Sequence, residues 1–167
     1  MNLNIVLVNP EIPQNTGNVA RTCAALGATL HLIEPLGFSL EDRFLKRAGV
    51  DYWSQVSVRL HPTVDSVFEI SDPTARFFAT ARGSIVYSDL RYPDPCWLFF
   101  GPESTGLPDS LLLQNTGNVV RLPMREGTRS LNLSNAVAVL AYEVFRSRGF
   151  PGLKRAASAV NVRRLTR

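Results

Sequence analysis

The sequence predicts an α/β domain, a mostly parallel sheet flanked by helices. Three observations carry that reading. Short apolar runs rich in Val, Ile, Leu and Phe recur at Leu3–Val8, Thr29–Ile33, Arg76–Ala81 and Cys96–Phe100. Helix-like stretches fall between several of them. Polar, glycine-bearing segments lie at the junctions: Asn15–Thr22, Phe100–Pro108 and Arg129–Ala136.

Taken in order, Leu3–Val8 is a buried strand closed by Asn9-Pro10. Asn15 to Leu26 reads as a helix with a polar start and Gly27 as its stop. Thr29–Ile33 is a second strand, and Leu40–Ala48 a short helix. Val56–Leu60 alternates like a strand, and Val64–Ile70 forms a short helical turn. Arg76–Ala81 and Cys96–Phe100 suit central strands, with Ser84–Tyr92 ambiguous between them. Asp109–Leu113 is helical and Asn118–Leu122 a strand. Leu133, Ala136, Val137, Leu140, Ala141, Val144 and Phe145 recur at helical spacing and make one broad apolar face. Gly149 and Pro151 end that helix. The tetrad Asn-Thr-Gly-Asn occurs at 15–18 and again at 115–118. The second copy reads as a helix C-cap at Gly117 leading into a strand, with no chemical role.

The 167 residues fit one domain, residues 1–155, followed by a basic tail, 156–167. No apolar run is long enough to span a bilayer, and the N-terminus lacks the pattern of a secretory signal. Cys23 and Cys96 lie in apolar surroundings without a C-x-x-C, which favours a reduced, cytoplasmic setting. Two His and two Cys, widely scattered, give no metal-ligand spacing, so no metal is expected.

The net charge of +4 belongs to the C-terminus. Residues 151–167 hold five of the 18 Lys and Arg and none of the 14 acids, so the remainder is close to neutral. Such a tail holds phosphates without reading sequence, or is a solvated terminus. Arg43, Lys46 and Arg47 stand near Tyr52 and Trp53, a grouping that suits nucleic acid and equally an amphipathic helix.

The three polar segments carry the chemistry. Ligands of open α/β sheets bind beyond the carboxyl ends of the strands, and Gly101 follows the Cys96–Phe100 strand directly. Glycine there admits a close backbone approach, and Pro102 and Pro108 stiffen the loop. Glu103 at a strand end calls for a partner. Ser130, Asn132 or Ser134 caps the last helix, which explains one of the three. The helix start at Asn15, Thr16 and Asn18 presents free N–H groups to a polar ligand. Arg21 follows on that helix, where a surface salt bridge would explain it equally. Phosphate-loop, dinucleotide-fold and hydrolase-elbow motifs are absent.

Together the three segments resemble the motifs of the SPOUT superfamily of RNA methyltransferases, in particular its tRNA wobble-position 2′-O-methyltransferases. Pro10-Glu11-Ile12-Pro13, Asn15-Thr16-Gly17-Asn18, Ile33–Phe38, Arg47–Tyr52 and Ser130–Val137 carry the likeness, which spans roughly residues 2–154. The resemblance implies a C-terminal deep trefoil knot, an exception to ordinary chain topology, and a homodimer with the knot region at its interface. It implies S-adenosylmethionine as methyl donor, bent among three loops. Ala79, Thr80, Gly101, Leu122 and Ser130 would hold the donor, with adenine read by backbone groups and packed between apolar side chains.

Arg21 matches the arginine given a catalytic role, and Asn15, Glu103, Ser130 and Asn132 match the other polar motif positions. Because guanidinium groups stay charged in proteins, Arg21 would orient the ribose hydroxyl or a phosphate, not act as base. Asn15 and Asn132 would hold Arg21 or the ribose, and Glu103 would pair with Arg21. The implied reaction is methyl transfer to the wobble 2′-hydroxyl of leucine tRNAs, on a cytidine or modified uridine. The chain has no separate RNA-binding domain, so Arg43, Lys46, Arg47, Arg82 and the tail are the expected RNA contacts. Two other readings stay open: a related methyltransferase acting on a different RNA, and a non-catalytic RNA-binding protein that keeps the fold.

Overall fold

A computed structural model describes residues 1–40 and 55–156. Among these residues seven strands form one sheet in which every pairing is parallel. They are β1 (Leu3–Val8), β2 (Thr29–Ile33), β3 (Val58–His61), β4 (Arg76–Ala79), β5 (Ile85–Val86), β6 (Cys96–Phe100) and β7 (Val119–Arg121). The α-helices among the described residues are α1 (Pro13–Leu26), α2 (Val64–Phe68), α3 (Asp109–Leu113) and α4 (Leu133–Arg146).

The sheet order is β3-β2-β1-β6-β4-β7-β5. From β1 the chain runs outward to β2 and β3, then crosses to β4 on the other side. The later strand β6 fits between β1 and β4, in register Ile5 to Leu98 and Phe77 to Leu98. The carboxyl ends of β1 and β6 are therefore neighbours. Their loops diverge at a topological switch point, where open α/β sheets form a crevice.

The side-chain period of two explains the layering. Leu3, Ile5, Leu7, Leu30, Leu32, Leu98 and Phe100 point to one face, where α1 and α4 bury Val19, Cys23, Leu140 and Val144 against them. Val6, Val8, Ile33, Phe78 and Phe99 point to the other, joined by Val67, Leu111 and Leu112. Phe78 and Phe99 stack there with ring centroids 4.8 Å apart. On α4 the expected apolar face is buried at Val137, Leu140, Ala141, Val144 and Phe145, whereas Leu133 and Ala136 stay half-buried.

Several expectations shift at their ends. The first helix begins at Pro13, two residues before Asn15, with Ile12 in extended conformation as its cap residue. Proline is pre-organised for a first turn, where its missing N–H costs nothing. The Arg76–Ala81 strand stops at Ala79, and the Val56–Leu60 strand becomes Val58–His61. Ser84–Tyr92 resolves into β5 and a 3-10 turn at Tyr87–Asp89. Gly117 is not a helix C-cap: α3 ends at Leu113 with Gln114 as its C-cap, and Gly117 lies in a 3-10 turn, Thr116–Asn118, just before β7. The Leu40–Ala48 helix, with Arg43, Lys46 and Arg47, falls almost wholly outside the described residues, as do residues 157–167 of the tail.

One polar pair, a buried His31 and a half-buried His61, joins β2 to β3 away from the cleft described below. His31 is fully buried, with Nδ1 2.9 Å from His61 Nε2 and Nε2 3.1 Å from Asn4 Oδ1. A neutral His31 donates from Nε2 to Asn4 and accepts at Nδ1 from His61. Its pKa is pushed down to about 3 by burial, then by His61 and Arg59.

This packing has two measurable consequences. The unfolded imidazole takes up a proton near its ordinary value of about 6.5. Stability from the neutral His31 is therefore complete above that pH and declines as pH falls toward 3. Urea denaturation should show a loss on the order of 1–2 kcal/mol between pH 7 and pH 5, and a smaller loss in His31→Gln relative to its own pH 7 value. At Gly101 an added Cβ would lie 2.2 Å from Gly106 C and Leu107 N, both backbone atoms that cannot swing away. Gly101→Ala should cost about 1–3 kcal/mol or more. Gly117→Ala, whose Cβ meets nothing within 4 Å, should stay within about 0.5 kcal/mol of wild type in the same urea titration.

Candidate functional site: a cleft at the carboxyl ends of the central strands

The chain doubles back beyond β6. Gly101 lies under the Gly106–Leu107 peptide, and Gly106 N–H donates to Pro102 C=O at 2.8 Å with Gly106 at φ 70°. Beyond β4, Thr80 N–H donates to Val120 C=O at 2.9 Å and carries the sheet one residue past Ala79. These two turns and the approach to α4 enclose a cleft of about 440 Å³.

Ala79 and Thr80 line it from β4, Gly101 and its loop from β6, Leu122 and Met124 from beyond β7, and Ser130 to Leu133 from the entry to α4. Ile12 and Asn15 close it from α1, and the half-buried Leu133 and Ala136 of α4 also face it. Apolar side chains thus share the lining with loop backbone, the usual makeup of a small-molecule site. All five residues expected to hold a donor line this cleft: Ala79, Thr80, Gly101, Leu122 and Ser130.

A hydrogen-bonded chain joins the three polar segments along one wall. Glu103 accepts from Asn15 Nδ2 at 2.9 Å, from Glu11 N–H at 2.9 Å and from Ile12 N–H at 3.3 Å. A carboxylate at the amino end of α1 is favoured by the helix dipole. Asn15 Oδ1 accepts from Asn132 Nδ2 at 2.9 Å. Asn132 Oδ1 accepts from Ser134 N–H at 2.9 Å and from Ser134 Oγ at 2.7 Å. Of the three possible caps for α4, Asn132 is the one used.

Arg21 lies elsewhere. It is exposed on α1 and lines a separate hollow of about 290 Å³ with Asn18, Thr22, Ser134, Asn135 and Tyr142. The Glu103 carboxylate, offered by the sequence as its partner, is taken up by Asn15 and the Glu11 and Ile12 amides. Arg82 lines the cleft but its guanidinium is held by residues that do not. Its guanidinium pairs with Asp109 and donates to Leu107 C=O at 3.2 Å. Arg43, Lys46 and Arg47 lie outside the described residues.

Sequence reasoning passes over three participants. Glu11, in the Pro10–Pro13 stretch that carries the resemblance, accepts from Ser104 N–H at 2.9 Å and Ser104 Oγ at 2.6 Å. Ile12 and Met124 add apolar surface to the cleft. Neither cysteine offers a nucleophile: both are buried, and burial pushes the Cys23 thiol up to about 12 and Cys96 higher still. Among the described residues no group of three or more His, Cys, Asp and Glu is placed to hold a metal.

Comparison with known proteins agrees with this architecture. The model of the SpoU rRNA Methylase family matches residues 2–142. A Burkholderia ambifaria protein named tRNA (cytidine(34)-2′-O)-methyltransferase is 49% identical over 152 residues, 89% of this chain and 97% of its own. A solved structure described as giving structural insights into the 2-OH methylation of C/U34 on tRNA superposes with a TM-score of 0.84. It shares 47% identity and covers 89% of this chain and 97% of its own. The fold is also that of the SpoU methyltransferase AviRb of Streptomyces viridochromogenes, solved in complex with the cofactor AdoMet. That likeness has a TM-score of 0.78 at 21% identity, over 90% of this chain and 58% of the other. With that match running through the strands, the cleft and the three joined segments, the chain belongs to the SpoU rRNA Methylase family.

Proposed function

We propose that this protein is a tRNA 2′-O-methyltransferase that takes its methyl group from S-adenosylmethionine and delivers it to the ribose of the wobble nucleotide. The observation that carries the reading is the cleft itself. A pocket of about 440 Å³ walled by the three segments occurs in a chain about half identical to proteins named for cytidine-34 2′-O-methylation. Leucine tRNAs, with a cytidine or modified uridine at that position, are the substrates proposed first.

The lining fits the donor. Leu122, Leu133 and Ala136 offer apolar faces for an adenine, and the Gly101–Gly106 loop brings backbone groups within reach of its polar edge. Ala79, Thr80 and Ser130 would hold the remainder. When bound there, the donor supplies a methyl group already activated by the sulfonium charge, and S-adenosylhomocysteine is the product left behind. Asn15, Glu103 and Asn132 hold the wall rigid, so that reacting atoms are positioned instead of searched for. Arg21 would orient the hydroxyl or a neighbouring phosphate and stabilise developing negative charge.

Two features support a homodimer as the working form. Arg21 lines a hollow distinct from the cleft, so its part in the reaction is read as played across a subunit contact. That hollow lies beside Val139 and Tyr142 of α4, which are 40% and 46% exposed. A C-terminal knot is part of the same proposal. What supports it is the strand order, in which the late strands β6 and β7 take interior places in the sheet instead of adding at an edge. A cytoplasmic location accords with the tRNA substrate, and among the described residues no helix is long and apolar enough to cross a membrane. Arg43, Lys46, Arg47 and the tail are proposed for RNA contact, with Arg82 serving from its link to Asp109. The single domain of 1–155 with a basic tail is retained in this reading.

Incubation with labelled S-adenosylmethionine and total RNA, followed by mapping, should place the label on the 2′-oxygen of tRNA nucleotide 34. Label on ribosomal RNA or at another tRNA position would replace this substrate with another RNA, and no transfer alongside intact tRNA binding would leave a non-catalytic binder. Arg21→Ala should reduce turnover by roughly a hundredfold or more while donor affinity, read by calorimetry, stays within about twofold. Near-normal turnover would remove Arg21 from the mechanism. Affinity for tRNA should fall steeply with salt, as phosphate contacts demand.

A further inference from the structure

Beside the Glu103 chain lies a second carboxylate contact that runs the opposite way. Glu103 reaches from the β6 loop to the N–H groups of Glu11 and Ile12. Glu11 reaches back to the N–H and hydroxyl of Ser104, at 2.9 and 2.6 Å. Each carboxylate therefore grips the other's segment, forming a reciprocal clasp across about 92 positions of sequence. Charged hydrogen bonds of this kind are short and directional. They also let two like charges sit close together, because each is neutralised by donors of the facing loop.

The clasp has a rigid back. Gly37 N–H donates to Pro10 C=O at 2.9 Å, and an added Cβ at Gly37 would lie 2.8 Å from Glu11 Cα. Asn9 Nδ2 donates to Glu34 C=O at 2.6 Å. Glu11 is thus held from behind by the 34–37 segment and faces Ser104, which lines the cleft while Glu11 does not.

We infer that Glu11 is a positioning residue for the donor. It fixes the Pro102–Gly106 wall of the cleft through Ser104 and touches neither donor nor RNA. The inference rests on the reading of the cleft as a donor site. Its consequence is selective. Loss of Glu11 frees one wall of the donor pocket, so donor binding weakens, while the RNA surface and the placement of Arg21 are untouched.

The test compares wild type with Glu11→Ala, Glu11→Gln and Ser104→Ala, using S-adenosylhomocysteine in calorimetry and tRNA in filter binding. Glu11→Ala should weaken S-adenosylhomocysteine and raise KM for the donor by roughly tenfold, with kcat at saturating donor and tRNA affinity within about twofold. Glu11→Gln, which keeps an acceptor for Ser104, should recover part of the loss. Glu11→Ala should cost less in a Ser104→Ala background than in wild type, because only the bond from the residue 104 N–H is then left to lose. Hydrogen exchange read on peptides covering 102–106 should quicken in Glu11→Ala with its melting temperature near wild type. Unchanged donor affinity with quickened exchange would overturn the positioning role, and unchanged exchange would overturn the clasp. If wild type itself fails to bind S-adenosylhomocysteine, the donor reading falls, and the exchange experiment still decides the clasp.

Discussion

The site depends on one carboxylate. Glu103 stands where the loop after β6 meets the start of α1, and three donors converge on it. Two belong to backbone that has just left β1, and the third is Asn15, which passes the connection on to Asn132 and α4. Segments separated by 88 and 117 positions become one wall through two side-chain hydrogen bonds. Leaving a buried or part-buried polar group without its partner costs about 1–3 kcal/mol. Every member of the chain is thus under pressure to keep its neighbour.

The sheet prepares this convergence. Pairing β1 with β6 in parallel register brings two loops, from the first and second halves of the chain, to the same end of the sheet. Pairing β4 with β6 and β7 brings the other two walls alongside. The apolar faces that fix these registers have no polar function of their own. A one-residue slip would send core positions such as Ile5 and Leu7 to the wrong face and would also separate Glu103 from Glu11. Packing and site geometry are consequently set by the same alternation of side chains.

Much of this is visible in the sequence because it is local. The runs at Leu3–Val8 and Cys96–Phe100 read as buried strands and are, and the apolar stripe of α4 appears where its spacing places it. Leu133 and Ala136 fit that stripe yet face the cleft, since spacing gives a face and not what covers it. The Glu103 partners are out of reach because each lies about 90 positions away and no periodicity links them. Arg82 reads as a cation free for RNA, but the fold brings Asp109 beside it. Gly117 reads as a helix cap because it lies between a helical run and the Val119-Val120 strand, but α3 has already ended at Leu113. Residues that matter through a partner close in the chain are legible. Those that matter through a distant partner need the resemblance or the structure.

The hydrogen bonds along the wall also have a direction. Ser134 donates to Asn132, Asn132 donates to Asn15, and Asn15 donates to Glu103. With a backbone N–H fixed at one end and an anion at the other, neither amide can turn round without setting acceptor against acceptor. The line is polarised throughout, each bond reinforcing the next. Asparagine and aspartate are close in shape, yet at 15 or 132 the exchange would remove the donor and set one acceptor against another. Orientation, more than size or polarity, is what this wall selects for.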